Sequence, residues 1–218
     1  MAEPEAPPRI TVLAGTNGAG KSSIGGAMLR QAGGDYFNPD EAARRILQVD
    51  PSLGQREANS RAWREGKRLL ERAIEERKSF SFETTLGGHT MAALLERAAD
   101  AGFEVKIWYV GLQSPEQHIE RVRARVARGG HDIPEADIRR RYTRSLENLV
   151  LLLPKLTELR VFDNSDEGDP QAGRSPNPRL VLHVRSGTIA GPNISELRQT
   201  PPWARALVAA AIKLSESS

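Results

Sequence analysis

The chain has 218 residues, 39% hydrophobic and 27% charged, with a net charge of +3 and no cysteine. This is one domain, or one with a small appendage, and long enough to bury a core; disulfide frameworks and thiolate metal sites are excluded, and no apolar run approaches the roughly 18 residues of a membrane helix. The arginine-rich, mildly basic balance suits phosphorylated ligands, whereas so small a net charge and only 5% aromatics argue against nucleic acid as a partner.

Residues 1–8 are acidic and proline-rich and read as a disordered leader rather than a secretory signal, so a cytoplasmic location is expected. The apolar run Ile10 to Ala14 reads as a buried parallel strand. It ends in Gly15-Thr16-Asn17-Gly18-Ala19-Gly20-Lys21-Ser22, followed by a helix from Lys21 to Gln31 that Gly33-Gly34 stops. Tyr36-Phe37 is a brief strand ending at Asn38-Pro39-Asp40, with a helix from Asp40. A turn at Pro51 to Gly54 precedes a long charged helix from Arg56 to Arg77. Phe80 to Phe82 is the next strand, ending in Glu83-Thr84-Thr85. A helix from Thr90 to Ala101 and a strand from Val105 to Val110 follow. Ser114-Pro115-Glu116 starts another helix, a cap with proline at the first helical position; it runs to Gly129-Gly130-His131. A further helix covers Pro134 to Leu152, and Arg160 to Phe162 is a strand ending at Asp163-Asn164-Ser165. A polar loop from Asp166 to Pro178, a last strand from Leu180 to Val184 and a helix from Pro202 to Leu214 complete the chain.

Strands alternating with helices predict an α/β three-layer sandwich with a mostly parallel sheet. The organisation expected is a leader at 1–8 and a single domain at 9–218, with a lid at about 119–145 and a C-terminal strand and helix at about 180–214. Ligands bind beyond the carboxyl ends of such strands. Polar clusters stand at four of those ends: residues 15–22, 38–40, 83–85 and 163–165.

The stretch Gly15 to Ser22 matches G-x-x-x-x-G-K-[ST] at every required position. Its glycines let several backbone N–H groups converge on one phosphate, and the helix start adds its dipole. Lys21 supplies a mobile positive charge to the outer phosphates. The Ser22 hydroxyl suits Mg²⁺, an oxygen-seeking ion, and Ser23 follows it at the helix start. The nucleotide-binding set is thus Gly15, Thr16, Asn17, Gly18, Ala19, Gly20, Lys21, Ser22 and Ser23. No LSGGQ-like segment follows, which sets transporter-type ATPases aside.

Phosphoryl transfer needs an acceptor hydroxyl, a group to take its proton, and positive charge around the moving phosphoryl. Asp40 is the candidate base, aimed by Asn38 and Pro39; its position equally suits a helix cap. Glu83, with Thr84 beside it, is placed to hold a metal-bound water or the substrate, or else to cap the next helix. From Glu120 to Ser145 eight arginines accompany four acids. Arg121, Arg125 and Arg128 share a helical face, Arg140 and Arg144 form a second stripe, and Gly129-Gly130 is a hinge. Two arginine-bearing helices around a hinge make a lid whose guanidiniums stabilise transition-state charge; a solvated hairpin is the other reading. His131 follows the hinge. Trp63, Trp108 and Trp203 read as packing residues, and His89 and His118 lack metal-ligand spacing.

The ordered set GTNGAGKS, FNPDEAA, SFETTLGG, YVGL, RVxxRVxxGGHDIPEADIRRRY and DNS resembles the zeta-toxin-like P-loop kinases, in particular their short bacterial branch, often labelled predicted ABC-type ATPase. The resemblance covers about Ile10 to Ser165. It implies a P-loop kinase fold and ATP-dependent phosphorylation of a small hydroxyl acceptor, in zeta toxins proper a UDP-linked amino sugar. It maps the base to Asp40 and a substrate-touching Glu to Glu83. Phosphate-holding lid arginines map to Arg121, Arg125 and Arg128, with Arg139 and Arg140 beyond the hinge. His131 lies in the GGH stretch.

The expected function is therefore an ATP- and Mg²⁺-dependent kinase. Asn38, Asp40, Glu83, Thr84, His131, Arg139 and Arg140 serve the acceptor, and Ser22 and Glu83 serve the metal. The alternative is a nucleotide-binding regulatory or nucleic-acid-associated ATPase with the arginine hairpin as its binding surface. A toxin held by a small antitoxin protein is a third reading.

Overall fold

The computed structural model describes residues 6–25, 35–167 and 177–217, the side chains of Ser22, Ser23 and Asp35 apart. Seven strands form one sheet: β1 (Arg9–Ala14), β2 (Asp35–Phe37), β3 (Phe80–Thr84), β4 (Glu104–Gly111), β5 (Glu158–Asp163), β6 (Arg179–Arg185) and β7 (Thr188–Gly191). Their spatial order is β2-β3-β1-β4-β5-β6-β7. The first five in that order run parallel, and β6 and β7 close the edge antiparallel. The helices are α1 (Lys21–Ile24), α2 (Pro39–Val49), α3 (Gln55–Glu75), α4 (His89–Asp100), α5 (Pro115–Val126), α6 (Glu135–Leu152), α7 (Ile194–Leu197) and α8 (Arg205–Glu216).

The strands form where the sequence is apolar and β-branched or aromatic. Alternate residues of the central strands enter one core, including Ile10, Val12, Phe80, Phe82, Val105, Ile107, Leu159 and Val161; α3, α4, α6 and α8 cover it with Leu70, Leu95, Leu149 and Leu207. The opposite face holds a smaller cluster of Leu13, Ala19 and Val110, with Ile24, Tyr36 and Trp108 against it. Helices on both faces of a mostly parallel sheet are the layered architecture that the alternating pattern predicts.

The structure departs from the expected pattern in three places. β7 and α7 were not foreseen: Thr188–Gly191 shows no apolar run, its exposure alternates, and it is held by pairing with β6. Residue 8 is anchored, since the Pro8 carbonyl accepts from the Glu104 amide at 2.9 Å; residues 1–5 of the expected leader lie outside the described residues. So do the expected continuation of α1 to Gln31, its stop at Gly33-Gly34, and residues 168–176 of the polar loop. Trp63, expected in packing, is 44% exposed, because the buried stripe of α3 runs through Ala58, Ala62, Gly66 and Leu70 instead.

In this strand order β1 stands between β3 and β4, while β2 lies at one edge. The chain reverses direction across the sheet at β1, and the crevice at that point receives the loop from Gly15 to Gly20.

Candidate active site

The loop after β1 is fixed by contacts that the sequence motif does not itself contain. Gly15 has φ +141°, and a Cβ there would lie 2.2 Å from the Val110 carbonyl oxygen, so only glycine fits. Lys21 Nζ donates to the Gly15 carbonyl at 2.8 Å. The buried His118 ring donates from Nδ1 to the Asn17 carbonyl at 2.8 Å. On the other side Asn164 Nδ2 donates to the Ala19 carbonyl at 2.8 Å. Arg141 Nη1 donates to Asn17 Oδ1 at 2.8 Å. Thr16 is fully buried, 3.4 Å from the Ser145 hydroxyl, which also bonds Tyr109 at 2.7 Å. The phosphate loop is thus clamped by α5, α6 and the end of β5.

His118 carries the clamp and a measurable consequence. Burial is the main cause pushing its imidazolium pKa down to about 4, from an unfolded value near 6.5. Between those values the unfolded chain holds one more proton than the folded one, so stability falls as pH falls, by up to about 1.4 kcal/mol per pH unit. In His118→Gln this part of the slope disappears. Urea denaturation at pH 7 and pH 5 reads it; an unchanged slope means that His118 does not titrate this way.

Two cavities meet at the loop. One, of about 1080 Å³, is bordered by Gly18, Gly20, Trp108, Arg121, Arg128 and Asn164. Arg160 lies over the Trp108 ring at 5.6 Å, and Arg121 Nη2 donates to the Asn164 carbonyl at 2.8 Å. The other, of about 890 Å³, is bordered by Asn17, Asp40, Glu83, Thr84, His131 and Arg141.

Asp40 reaches the second cavity because Asn38, not Asp40, caps α2: its side chain accepts from the amides of Asp40 and Glu41. The Asp40 carboxylate, half-exposed, is 3.9 Å from His131 Nε2. Burial lowers the His131 pKa despite Asp40, so the ring is neutral at pH 7. Glu83 likewise is not a cap, since Gly88 holds that position for α4. Its buried carboxylate accepts at Oε1 from the Tyr36 hydroxyl and, at 3.0 Å, from Asn38 Nδ2. Lys21 feels both acids: burial lowers its pKa most, and Glu83 and then Asp40 oppose that.

The hydrogen bonds that Glu83 accepts from Tyr36 and Asn38 converge on Oε1, which leaves Oε2 as a hard donor beside the loop. No group of three or more His, Cys, Asp or Glu able to hold a metal exists among the described residues. That donor set fits Mg²⁺, which keeps several waters and relies on one or two protein oxygens plus phosphates. The Ser22 hydroxyl, the other expected ligand, lies outside the described side chains.

The arginines expected to form a lid divide. Arg121 and Arg128 line the first cavity. Arg125 lines neither cavity; its Nη2 donates to the His131 carbonyl at 3.0 Å and holds that loop. Arg139 pairs with Glu116 at 2.6 Å and Arg140 with Asp137 at 2.7 Å, both about half-exposed at the surface. Arg141 is the inward-facing member of the triplet. Arg141→Ala removes a charge-assisted hydrogen bond to the loop worth about 1.5–3 kcal/mol and should lower the unfolding free energy by about that much. Arg139→Ala, which breaks only an exposed pair, should lower it by less than about 1 kcal/mol. Urea denaturation of the two variants checks this; equal losses contradict the assignment of Arg141 to the loop.

The glycine-rich loop between β1 and α1, set at the reversal point of this sheet, defines a P-loop kinase-type, nucleotide-binding fold. The model of the zeta toxin family matches residues 2–168, and the chain belongs to that family. It is 32% identical over 128 residues to an uncharacterised protein of Haemophilus influenzae, covering 59% of this chain and 88% of that one. Among solved structures, a chain of the AvrRxo1-ORF1:-ORF2 complex with ATP superposes with a TM-score of 0.66 at 15% identity over 91% of this chain. The chain spans 65% of that protein's length. The PezAT chromosomal toxin–antitoxin system of Streptococcus pneumoniae gives 0.55 at 14% identity, covering 99% of this chain and 88% of that one. No helix among the described residues is long and apolar enough to cross a membrane.

Proposed function

We propose that this protein transfers the γ-phosphoryl group of ATP to a hydroxyl of a small acceptor. The observation that carries this reading is the meeting of two cavities at one phosphate loop, with Gly18, Gly20, Arg121 and Arg128 on one side and Asn17, Asp40 and Glu83 on the other. The adenosine occupies the Trp108–Arg121–Asn164 side, and the acceptor occupies the Asp40–Glu83–His131 side. The UDP-linked amino sugar suggested by the resemblance is one member of the acceptor class.

The acceptor oxygen bonds the γ-phosphorus as the bond to the β,γ-bridging oxygen breaks; ADP leaves with the electron pair, and the acceptor proton passes to the Asp40 carboxylate. The loop amides and Lys21 hold the β- and γ-phosphates. Arg121 and Arg128, on the nucleotide side, add positive charge near the triphosphate. Glu83 and Ser22 are the residues that would hold Mg²⁺, which when bound neutralises charge on the phosphate oxygens. His131, neutral and facing Asp40, leaves that carboxylate free to accept.

Incubation with [γ-³²P]ATP and a set of sugars, nucleosides and sugar nucleotides tests the reading. Label should appear in an acceptor. Label found only as inorganic phosphate, whatever the acceptor, would favour an ATPase instead.

A further inference from the structure

The family match ends at residue 168, and β6, β7, α7 and α8 follow it. One side chain ties this last part of the chain to the nucleotide side of the site. Pro201 and Pro202 stiffen the approach to a single helical turn, Pro202–Ala204, ahead of α8. The turn buries Trp203 in the main core. Its indole lies against the end of β4, where a Cβ on Gly111 would be 2.4 Å from Trp203 Cη2, and beside the Tyr109 ring at 6.2 Å. From there Trp203 Nε1 donates to Asp163 Oδ1 at 3.2 Å, across 40 positions of sequence.

The same oxygen accepts from the Ser165 amide at 3.3 Å and from the Ser165 hydroxyl, so the indole fixes the atom on which the turn 163–165 closes. That turn holds the phosphate loop. The Asn164 amide donates to the Gly111 carbonyl at 3.0 Å. Asn164 Nδ2 donates to the Ala19 carbonyl at 2.8 Å, and the Asn164 carbonyl accepts from Arg121 Nη2 at 2.8 Å. The Ser165 carbonyl accepts from Gln117 Nε2 at 2.7 Å. Two amide oxygens here, Asn164 Oδ1 and Gln117 Oε1, are buried without a hydrogen-bond partner among the described residues, and each costs free energy. A turn that carries such costs keeps its shape only if it is anchored from outside, and Trp203 supplies an anchor from beyond the family match.

We infer that Trp203 is a positioning residue for nucleotide binding: through Asp163 it holds Asn164 and Ser165 against the phosphate loop and Arg121. This rests on the reading of the first cavity as the nucleotide side, and it adds to that side a part of the chain outside residues 2–168. The indole N–H is a fixed donor because packing locks its ring, so it places the carboxylate at one point. Arg179 is the contrast. It stands half-exposed with Nη2 3.9 Å from Asp163 Oδ2, and such a surface pair positions little.

Titration calorimetry of the full chain with ATP, well below the melting temperature, tests this and needs no acceptor. Trp203→Phe keeps an aromatic ring in the core and removes the N–H; its Kd for ATP should rise about fivefold or more. Asp163→Ala should weaken ATP at least as much. Asp163→Asn, which keeps an acceptor oxygen for the indole, should lose less than about threefold, and Arg179→Ala less than about twofold. A tryptophan that served packing alone would lower the melting temperature in Trp203→Phe and leave the ATP affinity of the folded protein unchanged. Wild-type affinity in Trp203→Phe, or in Asp163→Ala should the first variant not fold, overturns the inference and leaves the kinase reading standing. A wild-type chain that binds no ATP overturns both.

Discussion

Asp40→Asn is expected to lower phosphoryl transfer by about 10²–10⁴-fold while ATP binds as it does to the wild type. The expectation follows from where the carboxylate stands. Asp40 lies in the first turn of α2, but Asn38 supplies the cap through two amide hydrogen bonds, so the fold does not depend on Asp40. The side chain is half-exposed at the acceptor cavity and 3.9 Å from the nearest ring nitrogen. An amide of the same shape keeps that packing and cannot take the acceptor's proton. Titration calorimetry with ATP and a transfer assay on the same preparation separate the two effects. Transfer at the full rate in Asp40→Asn excludes it as the base.

The second large effect is at Lys21. Lys21→Ala should reduce transfer by about 10²–10³-fold, because a positive charge placed where phosphoryl charge develops is removed; ATP binding weakens as well. Thermal stability should not fall in parallel. Burial is the largest influence on Lys21 and lowers its pKa, against the pull of Glu83 and Asp40, so keeping an ammonium there costs the folded state free energy. Its bond to the Gly15 carbonyl at 2.8 Å offsets only part of that cost. Alanine removes both the bond and the cost. A melting temperature unchanged or raised, with activity lost, is the predicted signature; a collapse of the fold assigns Lys21 a structural role instead.

The parts of the molecule legible in the sequence are those whose determinants are contiguous. β1, β4 and the loop between β1 and α1 are read from runs of neighbouring residues, because the strand needs only an apolar stretch and the loop only its glycines and lysine in order. Asn38, Asp40, Glu83 and Thr84 could be singled out as candidates because ligands gather at strand ends in parallel sheets. What the sequence concealed depends on contacts across long separations. Tyr36 on Glu83, His118 on Asn17 and Asn164 on Ala19 join residues 47, 101 and 145 positions apart, and no local pattern announces them.

The arginine triplet shows a different failure. Spacing among the charges alone grouped Arg140 with Arg144. The phase of α6 is set by its buried residues, Ile138, Ser145, Leu149 and Leu152. Arg141, three residues after Ile138 and four before Ser145, lies on that inward side. A helical wheel drawn from the apolar positions would have chosen it. Trp63 is the reverse case: an aromatic residue read as core by its type, but placed outside the Ala-Ala-Gly-Leu stripe on which α3 actually packs.

The central claim is that nucleotide and acceptor enter from opposite sides of one phosphate loop, and a crystal structure with a non-hydrolysable ATP analogue tests it most directly. The adenosine should lie between Trp108, Arg121 and Asn164, with the terminal phosphate at Lys21 and turned toward Asp40. Adenosine bound instead against Trp63 and His131, with Asp40 buried beneath it, would contradict the account.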